Sequence, residues 1–276
     1  MKRYAGLLAV IVTIPFVAIA SPAIAQSAHG RAATIVHLAT GSGQSDLLGY
    51  LRQPAGQGPF AAILLLHGCG GDAEGLDRNW GARLQSWGYL TLTVDSFTPR
   101  GIINSCHTGA PAGRVLDPYA ALGYLSRLAA VDSSRIALMG FSEGGMIALT
   151  DTEPQATKPA GSLRFRAAIA VYPTCAGSGV ATMPTLIING QLDDWSSADA
   201  CRKMVAQESD MGITRHKGPS APIHLTIIPG AYHKFDDPKF QPGHRYMGHF
   251  LAYNSAALKL AAETVRGFLH EQLAKP

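Results

Sequence analysis

Apolar residues fall along this chain in two alternating patterns. A continuous short run at 60–66 (Phe-Ala-Ala-Ile-Leu-Leu-Leu) reads as a strand covered on both faces, and 89–94 (Tyr-Leu-Thr-Leu-Thr-Val), rich in Thr, Val and aromatics, as another buried strand. Other segments place apolar residues at helical spacing: 76–87, which stops at Gly88, and 117–130, through Tyr119, Leu122, Leu125 and Leu128. The alternation continues with strands at 135–140, 165–172, 184–188 and 223–228. Helices are expected to begin at 144 and to span 197–208 and 256–273. Two short strands at 33–38 and 47–52, joined by a Gly/Ser turn, precede the series. Polar or proline-bearing loops are expected at 95–113, 151–162 and 211–222, with 223–228 as the last strand. Strands and helices alternating at this spacing predict an α/β fold, a mostly parallel sheet with helices on both faces. No linker divides residues 26–276, which read as one domain.

The first 25 residues break this rhythm. Met1-Lys2-Arg3 is positive, residues 4–20 are almost wholly apolar and uncharged, and Ala23-Ile24-Ala25 gives a small-x-small ending. That is the pattern of a secretory signal peptide cleaved after Ala25, with the periplasm or the medium as destination. The rival is an uncleaved anchor, since an apolar stretch of about 17–20 residues can just span a bilayer; Pro22 and the Ala-x-Ala ending favour cleavage. The formal net charge of +4 becomes +2 once Lys2 and Arg3 leave, and no basic stripe interleaves with aromatics, so no nucleic-acid partner is expected. The four cysteines, Cys69, Cys106, Cys175 and Cys201, suit an oxidising compartment and up to two disulfides, but spacing leaves all three pairings open. There is no Cys-x-x-Cys, and His244 and His249, five apart, make a poor ligand pair, so no metal is expected.

The chemistry gathers after strands. Gly140-Phe141-Ser142-Glu143-Gly144-Gly145 follows the strand at 135–140 and opens a helix. This is the context of a nucleophile elbow, a tight strand-to-helix turn that crowds out side chains at its glycines and projects the serine hydroxyl from the sheet. A helix-capping serine in a glycine turn is the bland alternative. The partners of such a serine follow in the order acid, then histidine. Asp193 and Asp194 come just after the strand at 184–188, and His233 just after that at 223–228, both beyond carboxyl ends of strands. His233 would take the Ser142 proton, with one aspartate holding the imidazole while the other caps the next helix. His67-Gly68-Cys69-Gly70-Gly71 follows an early buried strand, where a loop supplies half of an oxyanion hole; the expected donors are the N–H groups of Cys69 and Glu143.

With these segments, from Leu66-His67-Gly68-Cys69-Gly70-Gly71 through Asp95-Ser96-Phe97-Thr98-Pro99-Arg100-Gly101 and the elbow to Asp193-Asp194-Trp195 and Gly230-Ala231-Tyr232-His233-Lys234-Phe235, the chain resembles the dienelactone hydrolase family of the α/β-hydrolases over about residues 60–273. The resemblance implies the α/β-hydrolase fold, Asp193 as the triad acid and Arg100 as a contact for a substrate carboxylate, for which its bidentate fork is suited. Dienelactone hydrolases proper carry a cysteine at the elbow and a glutamate after the early strand, where this chain has Ser142 and Gly68. The implied fold sets the strands before Cys69 and Cys106 side by side, and likewise those leading to Cys175 and Cys201, which points to pairs Cys69–Cys106 and Cys175–Cys201.

The resulting expectation is an exported serine hydrolase that cleaves a small-molecule ester or lactone through an acyl-enzyme, without cofactor. Its rivals are an amidase or peptidase on the same triad, separated by assaying amides against esters, and a non-catalytic binding protein of the same fold, separated by a fluorophosphonate probe.

Overall fold

The computed structural model describes residues 1, 32–40, 46–154, 156, 163–208 and 220–274. Apart from Met1, the expected leader lies outside the described residues, as do the turn at 41–45 and most of the loops expected at 151–162 and 211–222.

Eight strands form one sheet: β1 (Thr34–Leu38), β2 (Leu47–Arg52), β3 (Phe60–Leu66), β4 (Leu90–Asp95), β5 (Val131–Phe141), β6 (Ala167–Val171), β7 (Thr185–Gly190) and β8 (Ile223–Ile228). Their order is β1-β2-β4-β3-β5-β6-β7-β8. The pairs β1–β2 and β2–β4 are antiparallel, and every pair from β4 to β8 is parallel. The apolar runs are continuous because helices cover both faces. Successive residues of a strand point to opposite sides. Ile63 and Leu65 accordingly pack with Trp80, Leu84, Val265 and Leu269, and Leu64 and Leu66 pack with Leu122, Leu125 and Ile147.

The helices are α1 (Ala73–Leu76), α2 (Ala82–Ser86), α3 (Asp117–Ser126), α4 (Glu143–Thr152), α5 (Ala198–Val205) and α6 (Ser255–Gln272). The single helix expected at 76–87 starts earlier, behind the side-chain cap of Asp72, and is interrupted by a π-helical turn at Asp77–Gly81. At that widened turn the Asp77 carboxylate meets Arg52 of β2 at 2.6 Å. Helix α3 stops at Ser126, short of 130: the chain turns at 128–131, where the Val131 N–H donates to the Leu128 carbonyl at 2.9 Å, and the Ala130 carbonyl is given to the N–H of Phe60 at 2.8 Å.

The expectation that 223–228 is the last strand is overturned. A hairpin of β9 (His244–Tyr246) and β10 (His249–Leu251) follows, turning through Met247 and Gly248, both at positive φ (52° and 86°). Two such residues make the tight turn whose twist suits a hairpin. Its return strand is pinned beside β8's exit: Ala252 N–H donates to the His233 carbonyl at 3.1 Å.

Candidate active site

Ser142 sits between β5 and α4 with φ 53° and ψ −117°, a left-handed backbone that L-residues adopt only under constraint. The neighbours supply that constraint. A Cβ on Gly140 would overlap the Gly144 carbonyl, and one on Gly144 would lie 2.6 Å from the His67 carbonyl oxygen, so this crossing admits only glycine at both positions. The Ser142 N–H donates to Val171 of β6 at 2.9 Å, and its carbonyl accepts from Met146, starting α4.

Asp193 and His233 leave the ends of β7 and β8. Asp193 Oδ1 accepts the N–H groups of Trp195 (2.9 Å) and Ser196 (2.7 Å), which turns Oδ2 towards His233 Nδ1 at 2.8 Å. His233 Nε2 lies 3.1 Å from Ser142 Oγ. With a carboxylate at Nδ1, the proton is assigned there, leaving Nε2 to accept from the serine hydroxyl. Asp193 and His233 are buried, and Ser142 borders on it at 9 % exposure. Asp194 lies elsewhere: it accepts the Phe250 N–H of β10 at 3.0 Å, with His249 Nδ1 at 3.7 Å. Neither aspartate caps α5; Ser197 does, through the N–H of Asp199.

The loop after β3 passes against Ser142, so closely that a Cβ on Gly68 would be 3.1 Å from Ser142 Cβ. Cys69 is bonded to Cys106, with Cα atoms 4.8 Å apart, and Cys175 to Cys201, at 4.9 Å. Beside the first bond, Ser105 ties the two expected oxyanion donors together. Its N–H donates to the Cys69 carbonyl at 2.8 Å, and its hydroxyl to the Glu143 carboxylate at 3.0 and 3.1 Å. Glu143 also pairs with Arg114, which is buried and donates to the His67 carbonyl at 2.6 Å. Burial pushes the Arg114 guanidinium down to about 10, which leaves it charged at neutral pH. Burial, and then the charge of Arg114, push His67 down to about 3, so its ring is neutral; Nε2 accepts the Ser96 N–H at 3.3 Å.

Arg100 is not brought to Ser142. Its guanidinium makes two bonds of 2.7 Å to Asp117, which is buried at the start of α3, and a third to the Ser96 carbonyl. The carboxylate it meets is the protein's own, so the expected substrate contact is corrected to an internal ion pair. Sequence reasoning missed Ser105 and Arg114, because they meet Glu143 only through the fold. It also missed Tyr246, whose ring reaches the cavity from the hairpin.

A cavity of about 220 Å³ opens over Ser142, walled by the Cys69–Cys106 bond, Trp195, Tyr246 and Leu251. A second, of about 320 Å³, adjoins it across Gly68, Lys234 and Phe240 and reaches Asp72 and Asn79. Beneath them lies Asp236, whose carboxyl burial raises above the usual range and which accepts from Trp80 Nε1 and Tyr172 OH, each at 2.7 Å. His244 stacks on Phe240 and His249 on Trp195, and among the described residues no cluster of three histidine, cysteine or acidic side chains could hold a metal ion.

No family model and no curated protein matches this sequence. Solved structures do. Esterase 2 of Thermogutta terrifontis with butyrate bound is similar at 20% identity and a TM-score of 0.64, over 89% of this chain and 96% of that one. A candidate dienelactone hydrolase from Klebsiella pneumoniae gives 18% and 0.65, over 87% and 100%. A dienelactone hydrolase-like promiscuous phosphotriesterase from metagenomic libraries gives 18% and 0.66, over 88% and 98%. The chain has the α/β-hydrolase fold, in the form shared with dienelactone hydrolase-like proteins and esterases.

Proposed function

We propose that this protein is a serine hydrolase that cleaves a small-molecule carboxylic ester or lactone through an acyl-enzyme on Ser142. The observation that carries the reading is the unbroken relay from Ser142 Oγ to His233 Nε2 (3.1 Å) and from His233 Nδ1 to Asp193 Oδ2 (2.8 Å) at the floor of a cavity. Ser142 Oγ attacks the carbonyl carbon while His233 takes its proton, and Asp193 stabilises the imidazolium. The oxyanion is received by the N–H groups of Cys69 and Glu143, the latter the first residue of α4. His233 returns the proton to the leaving oxygen, then activates water against the acyl-enzyme. An esterase of this fold with butyrate bound, and the same esterase phosphorylated by paraoxon, support a small ester-like substrate.

The test is a fluorophosphonate probe and a panel of short esters and lactones on wild type and Ser142→Ala. Labelling should vanish in the variant, and turnover should fall by up to about a million-fold. Undiminished hydrolysis by folded Ser142→Ala would overturn the reading. Export belongs to the same proposal: the two disulfides suit an oxidising compartment, and the mature protein should begin at Gln26. N-terminal sequencing of periplasmic protein decides that part.

A further inference from the structure

The imidazole of His233 meets two aromatic rings. Tyr172, just after β6, has its ring centroid 4.7 Å away and tilted by 58°, and its hydroxyl is fixed on Asp236. Trp195 stacks on the imidazole at 5.3 Å with 28° between planes. Trp195 is itself held from outside by His249 of β10, stacked at 4.9 Å and 22°, with Tyr246 of β9 at 5.9 Å. The indole is a wall of the cavity over Ser142 and is half-buried.

The orientation of Asp193 does not need this ring, because the backbone N–H groups of Trp195 and Ser196 set it. The stacking is therefore a separate fact with a consequence of its own. An imidazolium on an indole face is attracted by the ring quadrupole, and tryptophan gives the strongest such attraction among the aromatic residues. A neutral imidazole lacks that term. In the proposed reaction, His233 gains a charge when it takes the proton of Ser142 or of the attacking water. Only interactions stronger in the transition state than in the ground state accelerate a reaction.

We propose that Trp195 is a positioning residue whose indole face stabilises the imidazolium of His233 and holds the ring in line between Asp193 and Ser142. The proposal rests on the serine-hydrolase reading. The other charged or titratable groups facing His233 come from several elements. Asp193 meets its Nδ1, Lys234 follows it in the chain, and Asp236 stands behind Tyr172. His249, Asp194 and Arg245 lie beyond the indole, and His244 lies across the cavity. Of these, only His249 touches the indole, by stacking, and the Trp195 N–H that holds Asp193 belongs to the backbone, which a change of side chain keeps.

The experiment compares wild type, Trp195→Phe and Trp195→Leu. One readout is kcat and KM on an activated short ester across pH. The other, without substrate, is the NMR resonance of the His233–Asp193 proton, which reports the titration of His233 alone. In Trp195→Leu, kcat should fall about tenfold with KM little changed, and the His233 pKa should fall by about one unit; Trp195→Phe should recover most of both. A merely structural role would lower thermal stability and leave the titration where it was. Should Trp195→Leu fail to fold, ring-fluorinated tryptophan keeps the shape while weakening the quadrupole. It enters all three tryptophans; Trp87 packs on Arg266, and Trp80 reaches His233 only through Asp236 and Tyr172, so the same label in Trp195→Phe measures the contribution of the other two, and the response of the resonance in wild type should exceed it. A pKa that stays or rises, or a loss carried by KM, overturns the proposal. A wild type that neither turns over esters nor takes the probe overturns the hydrolase reading instead, and the NMR titration still decides the stacking.

Discussion

Two adjacent aspartates of one loop have different work, and the difference is two backbone amides. The N–H groups of Trp195 and Ser196 hold one oxygen of Asp193 and leave the other for His233, while Asp194 faces outward to the β10 backbone. Asp193→Asn should cost on the order of ten-thousand-fold in kcat, because a neutral amide cannot stabilise the imidazolium and favours the wrong tautomer. Asp194→Asn keeps an acceptor for Phe250 and should stay within a few-fold. Steady-state kinetics of the two variants checks this, and a larger loss in Asp194→Asn would reverse the assignment. At this scale the sequence was legible wherever chain order carried the information, as for Ser142 and His233, each just past a buried strand. It was not legible at Arg100, because a string of residues does not show that Asp117 returns to meet it.

Among the elements, the segments around Ser142 divide into those that place it and those that steady its surroundings. The Cys69–Cys106 bond closes a separation of 37 residues and lies on the loop after β3, the proposed oxyanion loop, whereas Cys175–Cys201 closes 26 and ties the chain after β6 to α5. Loops of these lengths predict about 3–4 kcal/mol of stabilisation each in the chain-entropy account. The double variant Cys175→Ser/Cys201→Ser should therefore lose stability in urea unfolding and keep kcat. Cys69→Ser/Cys106→Ser should lose both, with kcat down by as much as a hundredfold if the loosened loop misplaces its donor. Equal kcat in both double variants would remove the distinction. The β9–β10 hairpin is the element the sequence hid. Each strand has three residues, too short for periodicity to register, and its turn is Met-Gly rather than the Asn-Gly that announces such turns. A methionine at φ 52° is costly where asparagine is tolerated. Met247→Asn should raise stability by about 1 kcal/mol, read as a higher Tm, with kcat unchanged.

For the whole molecule, the sheet was legible because strands buried on both faces leave a mark: β3 and β6 are uninterrupted apolar runs, and β4 and β7, rich in Leu, Ile, Val and Thr, are buried at every position. Its burial also makes stability depend on pH. His67 has a folded value of about 3 against an unfolded value near 6.5, so between these the unfolded chain binds a proton that the folded one refuses. Stability from this residue is intact above about pH 6.5 and is lost as pH falls towards 3, by up to roughly 1.4 kcal/mol per pH unit. Urea unfolding at pH 7, 6, 5 and 4 should show a shallower decline for His67→Gln than for wild type; parallel declines would exclude His67 as the cause. The hydrophobic core contains Cys175 and Cys201 but neither Cys69 nor Cys106, whose bond steadies a loop at the site rather than the sheet. A chain that had formed its sheet but not its Cys69–Cys106 bond would bring Ser142, His233 and Asp193 together without the covalent hold on the Cys69 loop, which arrives only when two thiols give up their electrons. If the chain is exported unfolded, both steps belong to the oxidising compartment, and full competence would answer to the thiol oxidants found there: a hydrolase kept reduced would be built but poorly supported.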